Sequence, residues 1–227
     1  METTEAIHKW RCIRRFKKDE PVTDEALRKV LEAGRRSPSW MNVQPWHFIV
    51  IKDAQIKEKL ATLASGQKHI ARSPVVIGVC GDLSAWDKPK NREALLELVE
   101  AGAMKATAEI IDNVVLKDPL FCVAENGPAM ILSRTFEQLG ITYGFMGIEA
   151  VNQGLGMCIV GALGNEITGA NQALYQEIKA SLNIPESMYL LTLLTLGVPD
   201  EAPKARPRKD LNRIVSREKV GQKFENF

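Results

Sequence analysis

A single domain mixing helices with strands, α/β or α+β, is the fold class this sequence predicts, on three observations. Its 227 residues, 45% hydrophobic and 26% charged, suffice to bury one sizeable core. Segments with apolar residues at helical spacing alternate with short β-branched runs. The longest apolar stretch, Met188 to Val198, is about half of what a membrane-spanning helix needs. No segment repeats at solenoid or propeller spacing, and none is of low complexity.

Thr23, Asp24 and Glu25 supply a cap and an acidic first turn to a helix with Leu27, Val30 and Leu31 on its apolar face, ending near Gly34 to Pro38. Phe48 to Ile51 is a compact strand, after which Asp53 can cap a helix carrying Ile56, Leu60, Leu63 and Ala64. A second strand runs from Pro74 to Cys80, with Gly81 and Asp82 ending it. From Asn91 to Val115 the pattern is helical, with Leu95, Leu96, Val99, Ala103 and Ala106 on one face. Two further helices are expected, Pro128 to Leu139 and Tyr143 to Gln153, the second stopped by Gly154 and Gly156 before a strand at Met157 to Val160. Asn171 to Leu182 reads as an amphipathic helix ending before Pro185, and Met188 to Leu196 as a strand covered on both faces. Pro203 to Phe227, rich in charge and proline, reads as an extended arm.

Thirty Lys and Arg against twenty-eight Asp and Glu leave a net charge of +2, which argues against nucleic acid and against an acidic membrane surface as partners. Cys12, Cys80, Cys122 and Cys158 form no C-x-x-C pair and have no His nearby, so free buried thiols in a reducing, cytoplasmic setting are expected, without zinc or disulfides. His8, His47 and His69 lack metal-site spacing and read as surface or packing residues. Met1 to Ile13 has no apolar core of a signal peptide.

Two segments carry chemistry. In Trp10-Arg11-Cys12-Ile13-Arg14-Arg15-Phe16, Arg11 and Arg14 are three apart and can aim two guanidinium forks at one point, which suits a phosphate; a solvated basic patch is the plain alternative. Ser37-Pro38-Ser39-Trp40-Met41-Asn42-Val43-Gln44-Pro45-Trp46 combines turn formers, two amides and two indoles within ten residues. Asn42 and Gln44 offer both donors and acceptors, as the edge of a flavin requires, although a packed loop with Trp46 in the core would also use these residues.

On these segments the sequence resembles the nitroreductase family of FMN enzymes, marked by an R-R-S-I-R-x-F segment and a P-S-x-x-N-x-Q-P-W loop; Pro38, Ser39, Asn42, Gln44, Pro45 and Trp46 match the second in full. The likeness extends through Gly66-Gln67, the strand to Cys80, Gly154 to Gly161 and Leu196 to Pro199, and is weakest from Leu83 to Thr135. It implies an α+β sandwich with a mostly antiparallel central sheet flanked by helices. It also implies a homodimer with an FMN in each of two sites built from both subunits. Arg11, Cys12 and Arg14 would approach the phosphate, Pro38, Ser39 and Asn42 the flavin ring, and Gln67 its ribityl or pyrimidine side. Val160 and Gly161 would meet the ring through their backbone, and Arg206 or Arg208 would return to the phosphate. Trp10 and Cys12 depart from the motif, replacing an Arg and a Ser, which is expected to loosen FMN binding.

The resemblance further implies an NAD(P)H-dependent oxidoreductase in which donor and a small organic acceptor use one pocket in turn, with the flavin, rather than any protein acid or base, carrying the chemistry. The divergent middle, about residues 83–135, would hold a lid or substrate-facing helices, with Trp86, Phe121 and Phe136 as aromatic candidates. Two other classes fit the same residues: a flavin store or redox-sensing module with little turnover, and an interaction protein with a degenerate site.

Overall fold

The computed structural model describes residues 1–224; residues 225–227, the end of the expected arm, lie outside the described residues. Four strands, β1 (Trp46–Ile51), β2 (Val75–Asp82), β3 (Gly156–Val160) and β4 (Met188–Gly197), form one antiparallel sheet in the order β1-β2-β4-β3. Alternate residues of β2 face opposite sides, as a period-two strand buried on both faces must. Val75, Ile77 and Val79 pack beneath α2 (Asp24–Arg35) and α7 (Pro128–Asn152). Val76 and Cys80 pack beneath α3 (Ala54–Leu63), α4 (Lys68–Arg72) and α8 (Gln172–Ser181). The result is a three-layer α+β sandwich, as expected, and β4 is buried along nearly its whole length.

One irregularity sits at the centre of the sheet. Val79 pairs with Thr192 while Cys80 pairs with Leu190, so Leu191 is an extra residue on β4. The bulge changes the parity of β4, which lets Leu190 and Leu193 face one core while Leu191 and Leu194 face the other.

The capped helices are where the sequence puts them: Thr23 Oγ1 accepts from the Ala26 N–H at 3.2 Å, and Asp53 Oδ1 from Ile56 N–H at 2.9 Å. Other boundaries differ. The two helices expected over 128–153 are one, α7, because Leu139, Thr142, Met146 and Ala150 continue a single buried stripe across the supposed gap. The one helix expected over 91–115 is two, α5 (Lys88–Glu100) and α6 (Ala108–Asn113). Gly102 breaks it with a φ of +72°, its N–H bonding Val99 O while Ala103 N–H reaches back to Leu98 O. Arg92 then clamps α5 to α6 through two hydrogen bonds to Asp112. Strand β2 continues through Gly81 and Asp82 instead of stopping there, because Asp82 N–H finds Pro45 O. α1 (Thr3–Lys9) and α4 were not anticipated; both are shorter than the pattern window that reveals a helix.

Residues 203–224 are almost all exposed and hold no helix or strand beyond a single 3-10 turn at Leu211–Arg213. No helix among the described residues is long and apolar enough to cross a membrane.

Candidate functional site

The site is built where α1 ends. Trp10 caps α1 and lays its indole on α7 at Gly147, where a Cβ would lie only 2.2 Å from the ring. The anchored turn presents two free carbonyls, His8 O and Trp10 O, which accept from Arg11 Nη1 at 2.6 and 2.7 Å. The chain then runs extended along the open edge of β3: Cys12 bridges to Met157 in parallel fashion, and Ile13 N–H bonds Met157 O at 3.3 Å.

The chain beyond β4 returns to the same segment. Phe16 bridges Pro199, Lys17 N–H bonds Val198 O, and Asp200 N–H bonds Arg15 O. Glu201 completes the clasp: Oε1 accepts from the Arg14 and Arg15 N–H groups at 2.6 and 3.1 Å, and its other oxygen pairs with the Arg15 guanidinium. Those backbone donors, Arg14 first, hold the Glu201 carboxyl below the usual carboxylate range. The clasp decides where the arm goes next. Arg206 and Arg208 join Arg11, Cys12 and Arg14 around a cavity of about 510 Å³, with Trp10, Ile159 and Lys204 completing its walls.

Four arginines, a lysine and a single carboxylate line this cavity, a basic cradle. The guanidiniums of Arg14 and Arg206 make no hydrogen bond or ion pair among the described residues. Glu201 also lines the cavity, with its charge already committed to the clasp. The Cys12 sulfur, exposed rather than buried as expected, responds to the same field. The neighbouring Cys158 thiol lowers its pKa to about 6 against the opposing effect of burial, helped by the Ile159 N–H and the charges of Arg14 and Arg206. Cys158, fully buried, is pushed up by the facing Cys12 sulfur and by burial and stays a thiol. His69, expected as a surface or packing residue, is buried, with Nε2 unpartnered; burial, then Arg14, lowers its pKa.

The second motif folds as a tight loop. Met41, Asn42 and Gln44 have φ of 46°, 58° and 47°, three left-handed non-glycine residues within four positions. Such conformations cost of order 1–3 kcal/mol each and persist only where surroundings impose them. Here Gln138 Oε1 accepts from Trp40 N–H at 2.8 Å, Ser39 Oγ accepts from Gln44 N–H at 3.0 Å, and the Arg134 guanidinium lies 4.5 Å from the Trp40 ring. Met41 is wedged into the cores of the middle region, against Trp86 and Val123 on one side and Leu95 and Ile111 on the other. The divergent middle therefore packs directly on this loop. Within it Trp86 is a core residue, its Nε1 donating to Thr135 Oγ1, whereas Phe121 and Phe136 are exposed.

The structure thus gathers some of the expected site residues and separates others. Pro38 and Ser39 line a shallow recess of about 210 Å³ with Glu137, Gln138 and Ile141, which shares no residue with the cradle. Asn42 ends the 3-10 turn of the loop, and Gln67, at the start of α4, lines neither cavity. Val160 ends β3 with its side chain in the core, and Gly161 follows it, exposed, with open space where a side chain would go. Glu201, Cys158 and the Trp10–Gly147 contact went unread in the sequence; each depends on a pairing across more than a hundred residues.

Comparison with known proteins places these features in a family. The model of the nitroreductase family matches residues 7–198. A protein of Thermus thermophilus named NADH dehydrogenase is 30% identical over 218 residues, 95% of each chain. The FMN reductase [NAD(P)H] of Bacillus subtilis is 27% identical over 91% of this chain and 70% of its own. A nitroreductase-fold structure from Exiguobacterium sibiricum, solved in complex with FMN, superposes with a TM-score of 0.76 at 24% identity, over 96% and 98% of the two chains. The clasped arginine segment and the strained Pro38 to Trp46 loop both fall within the matched residues, and this chain belongs to the nitroreductase family.

Proposed function

We propose that the protein is an NAD(P)H-dependent FMN oxidoreductase that passes reducing equivalents to a small organic acceptor such as a nitroaromatic, quinone or enone. The observation that carries this reading is the cradle: two uncommitted guanidiniums and two further arginines converge on a cavity whose volume lies within the range of about 300–1,000 Å³ typical of small-molecule sites. A phosphate monoester, with about −1.5 to −2 charges at neutral pH, supplies the counter-charge that Arg14 and Arg206 lack. The residues present therefore fit FMN by its phosphate, with Arg11, Cys12, Arg14, Arg206 and Arg208 holding it.

Of the residues proposed for the ring, Pro38 and Ser39 line the separate recess and Asn42 belongs to the same loop, which supports a homodimer in which one copy supplies the cradle and its partner the loop. Exposed Phe136 and Phe145 on α7 are available to that interface. Val160 and Gly161 offer backbone groups with no side chain in the way, and Gln67 the amide for the ribityl or pyrimidine side. FMN, when bound, accepts a hydride equivalent from the nicotinamide and yields it to the acceptor. The protein orients donor and acceptor in turn over one face, so the kinetics are ping-pong, and the middle region, seated on Met41, shapes the pocket that selects the acceptor. A reducing, cytoplasmic compartment accords with four free thiols.

The test is the visible spectrum of the purified protein, before and after anaerobic addition of NADH or NADPH, with the chromophore identified after denaturation. A flavin band that bleaches, releases FMN and recovers on adding menadione or nitrofurazone is the expected result. A band that bleaches but does not recover when an acceptor is added would favour a flavin store. A protein that stays colourless with added FMN would overturn the reading.

A further inference from the structure

The cradle contains a second chemistry, carried by a pair of thiols. Cys12 bridges Met157 across the edge of β3, so Cys158 is its diagonal neighbour. Each sulfur perturbs the ionisation of the other; Cys12 stands on the solvent side, and Cys158, fully buried behind it, turns its thiol to Ile159 O at 3.7 Å. The exposed sulfur faces two guanidiniums without partners, the setting that makes a thiol nucleophilic. Cys80 and Cys122 are both fully buried.

We propose that Cys12 and Cys158 form a redox pair in which Cys12 reacts with a hydroperoxide, Cys158 closes the product to a disulfide, and an anion seated in the cradle blocks the first step. The Cys12 sulfur attacks the hydroperoxide, forming an S–O bond as the O–O bond breaks, and the alkoxide leaves as the alcohol after taking a proton. The Cys158 sulfur then attacks the sulfenic acid on Cys12, forming the S–S bond as the S–O bond breaks, and hydroxide leaves with the Cys158 proton as water. In sum, two thiols and one hydroperoxide give one disulfide, one alcohol and one water. Arg14 and Arg206 stabilise the attacking sulfur and the departing oxyanion, and the same two charges attract a phosphate. The blocking clause rests on the FMN reading; the thiol chemistry does not.

The test uses the reduced full chain with and without added FMN, treated with one equivalent of hydrogen peroxide, quenched with N-ethylmaleimide and read by peptide mass. The expected result is a Cys12–Cys158 cross-linked peptide, two hydrogens lighter than its components, with Cys80 and Cys122 alkylated. Saturating FMN should slow its formation at least tenfold. In Cys158→Ser, or in Cys158→Ala should the first misfold, Cys12 should accumulate as the sulfenic acid and be captured by dimedone. Cys12 oxidised no faster than Cys122, or a lasting dimedone adduct without a cross-link in the unaltered chain, would overturn the pair. FMN binding by the reduced chain is measured separately by fluorescence. Binding without protection overturns the blocking clause and leaves the flavin reading intact. No binding removes the flavin reading and the blocking clause together, while the peptide mass still decides the pair.

Discussion

Gly147→Ala on α7 tests whether the cradle is seated by Trp10. A Cβ at this position would lie 2.2, 2.5 and 2.6 Å from three indole carbons, so the ring must withdraw by more than 1 Å to restore ordinary contact. Helix propensity alone favours the change by about 1 kcal/mol, since glycine is a poor helix former. Overpacking costs about 1–3 kcal/mol, and a rigid indole fixed at the end of α1 places this case at the upper end. The net is a destabilisation of about 1–2 kcal/mol, a fall in Tm of roughly 2–8 °C for a domain of this size. Because Trp10 O also accepts from Arg11 Nη1, moving the indole moves a wall of the cradle, and FMN affinity should fall about tenfold. Thermal denaturation and a flavin-fluorescence titration measure the two effects, and Trp10→Leu in the Gly147→Ala background should recover part of both. A variant that melts a few degrees higher with unchanged affinity would show only the helix-propensity gain, and would refute the idea that Trp10 is seated there.

Cys12→Ser should tighten FMN binding, most at higher pH. A thiol with a pKa near 6 is a thiolate at pH 7.5 and must take up a proton before sharing the cradle with a phosphate, a penalty of about 30-fold that solvent screening reduces to about tenfold. Arg14, Arg206, Cys158 and the Ile159 N–H, which hold the sulfur ionised, are common to both proteins. The affinity ratio should therefore shrink toward one as pH falls to 5.5, and a ratio constant with pH would contradict the thiolate. Arg14→Ala should weaken FMN by about 10- to 100-fold through loss of a charge-assisted bond, with Arg14→Lys intermediate; equal affinities would put the phosphate elsewhere. Lys179, 3% exposed and 2.8 Å from Glu166, is a structural ion pair under Tyr189. Lys179→Met should cost about 3–5 kcal/mol, read by chemical denaturation, because Glu166 Oε2 already has no partner, and Lys179→Met with Glu166→Gln should recover much of it.

What the sequence reveals here is what local physics controls. Capped helices announce themselves because Thr23 and Asp53 bond donors three residues on, and β4 because eleven apolar or β-branched residues in succession leave no polar face. The break at Gly102 and the unbroken α7 elude a local reading for one reason: the helix ends where tertiary burial ends, and the buried stripe of α7 shows only against α2 and the sheet. The arginines of the cradle are legible as a cluster, but what brings Arg206 to Arg14 is Glu201, whose partners are backbone N–H groups 187 and 186 residues away. Cys12 shows the same limit. Its sequence marks it as a poor donor in place of a serine, whereas its setting beside Cys158 makes it an ionisable sulfur.

The two departures from the family motif are then of different kinds. Trp10 does not occupy the cradle as a failed ligand; it converts a charged position into the packing contact that fixes α1 against α7, and Arg11, tied to the helix-end carbonyls, stands next to the lost charge. Cys12 stays within the cradle and changes its chemistry. In the proposed dimer, FMN binding and association would reinforce each other, since either would bring the cradle of one chain to the strained loop of the other. Closing that interface would also cover the Cys12 sulfur. A free chain would then be the form open to oxidation and the loaded dimer the form closed to it, so that occupancy by the cofactor, rather than a change in the protein's fold, would decide which of its two chemistries the cradle performs.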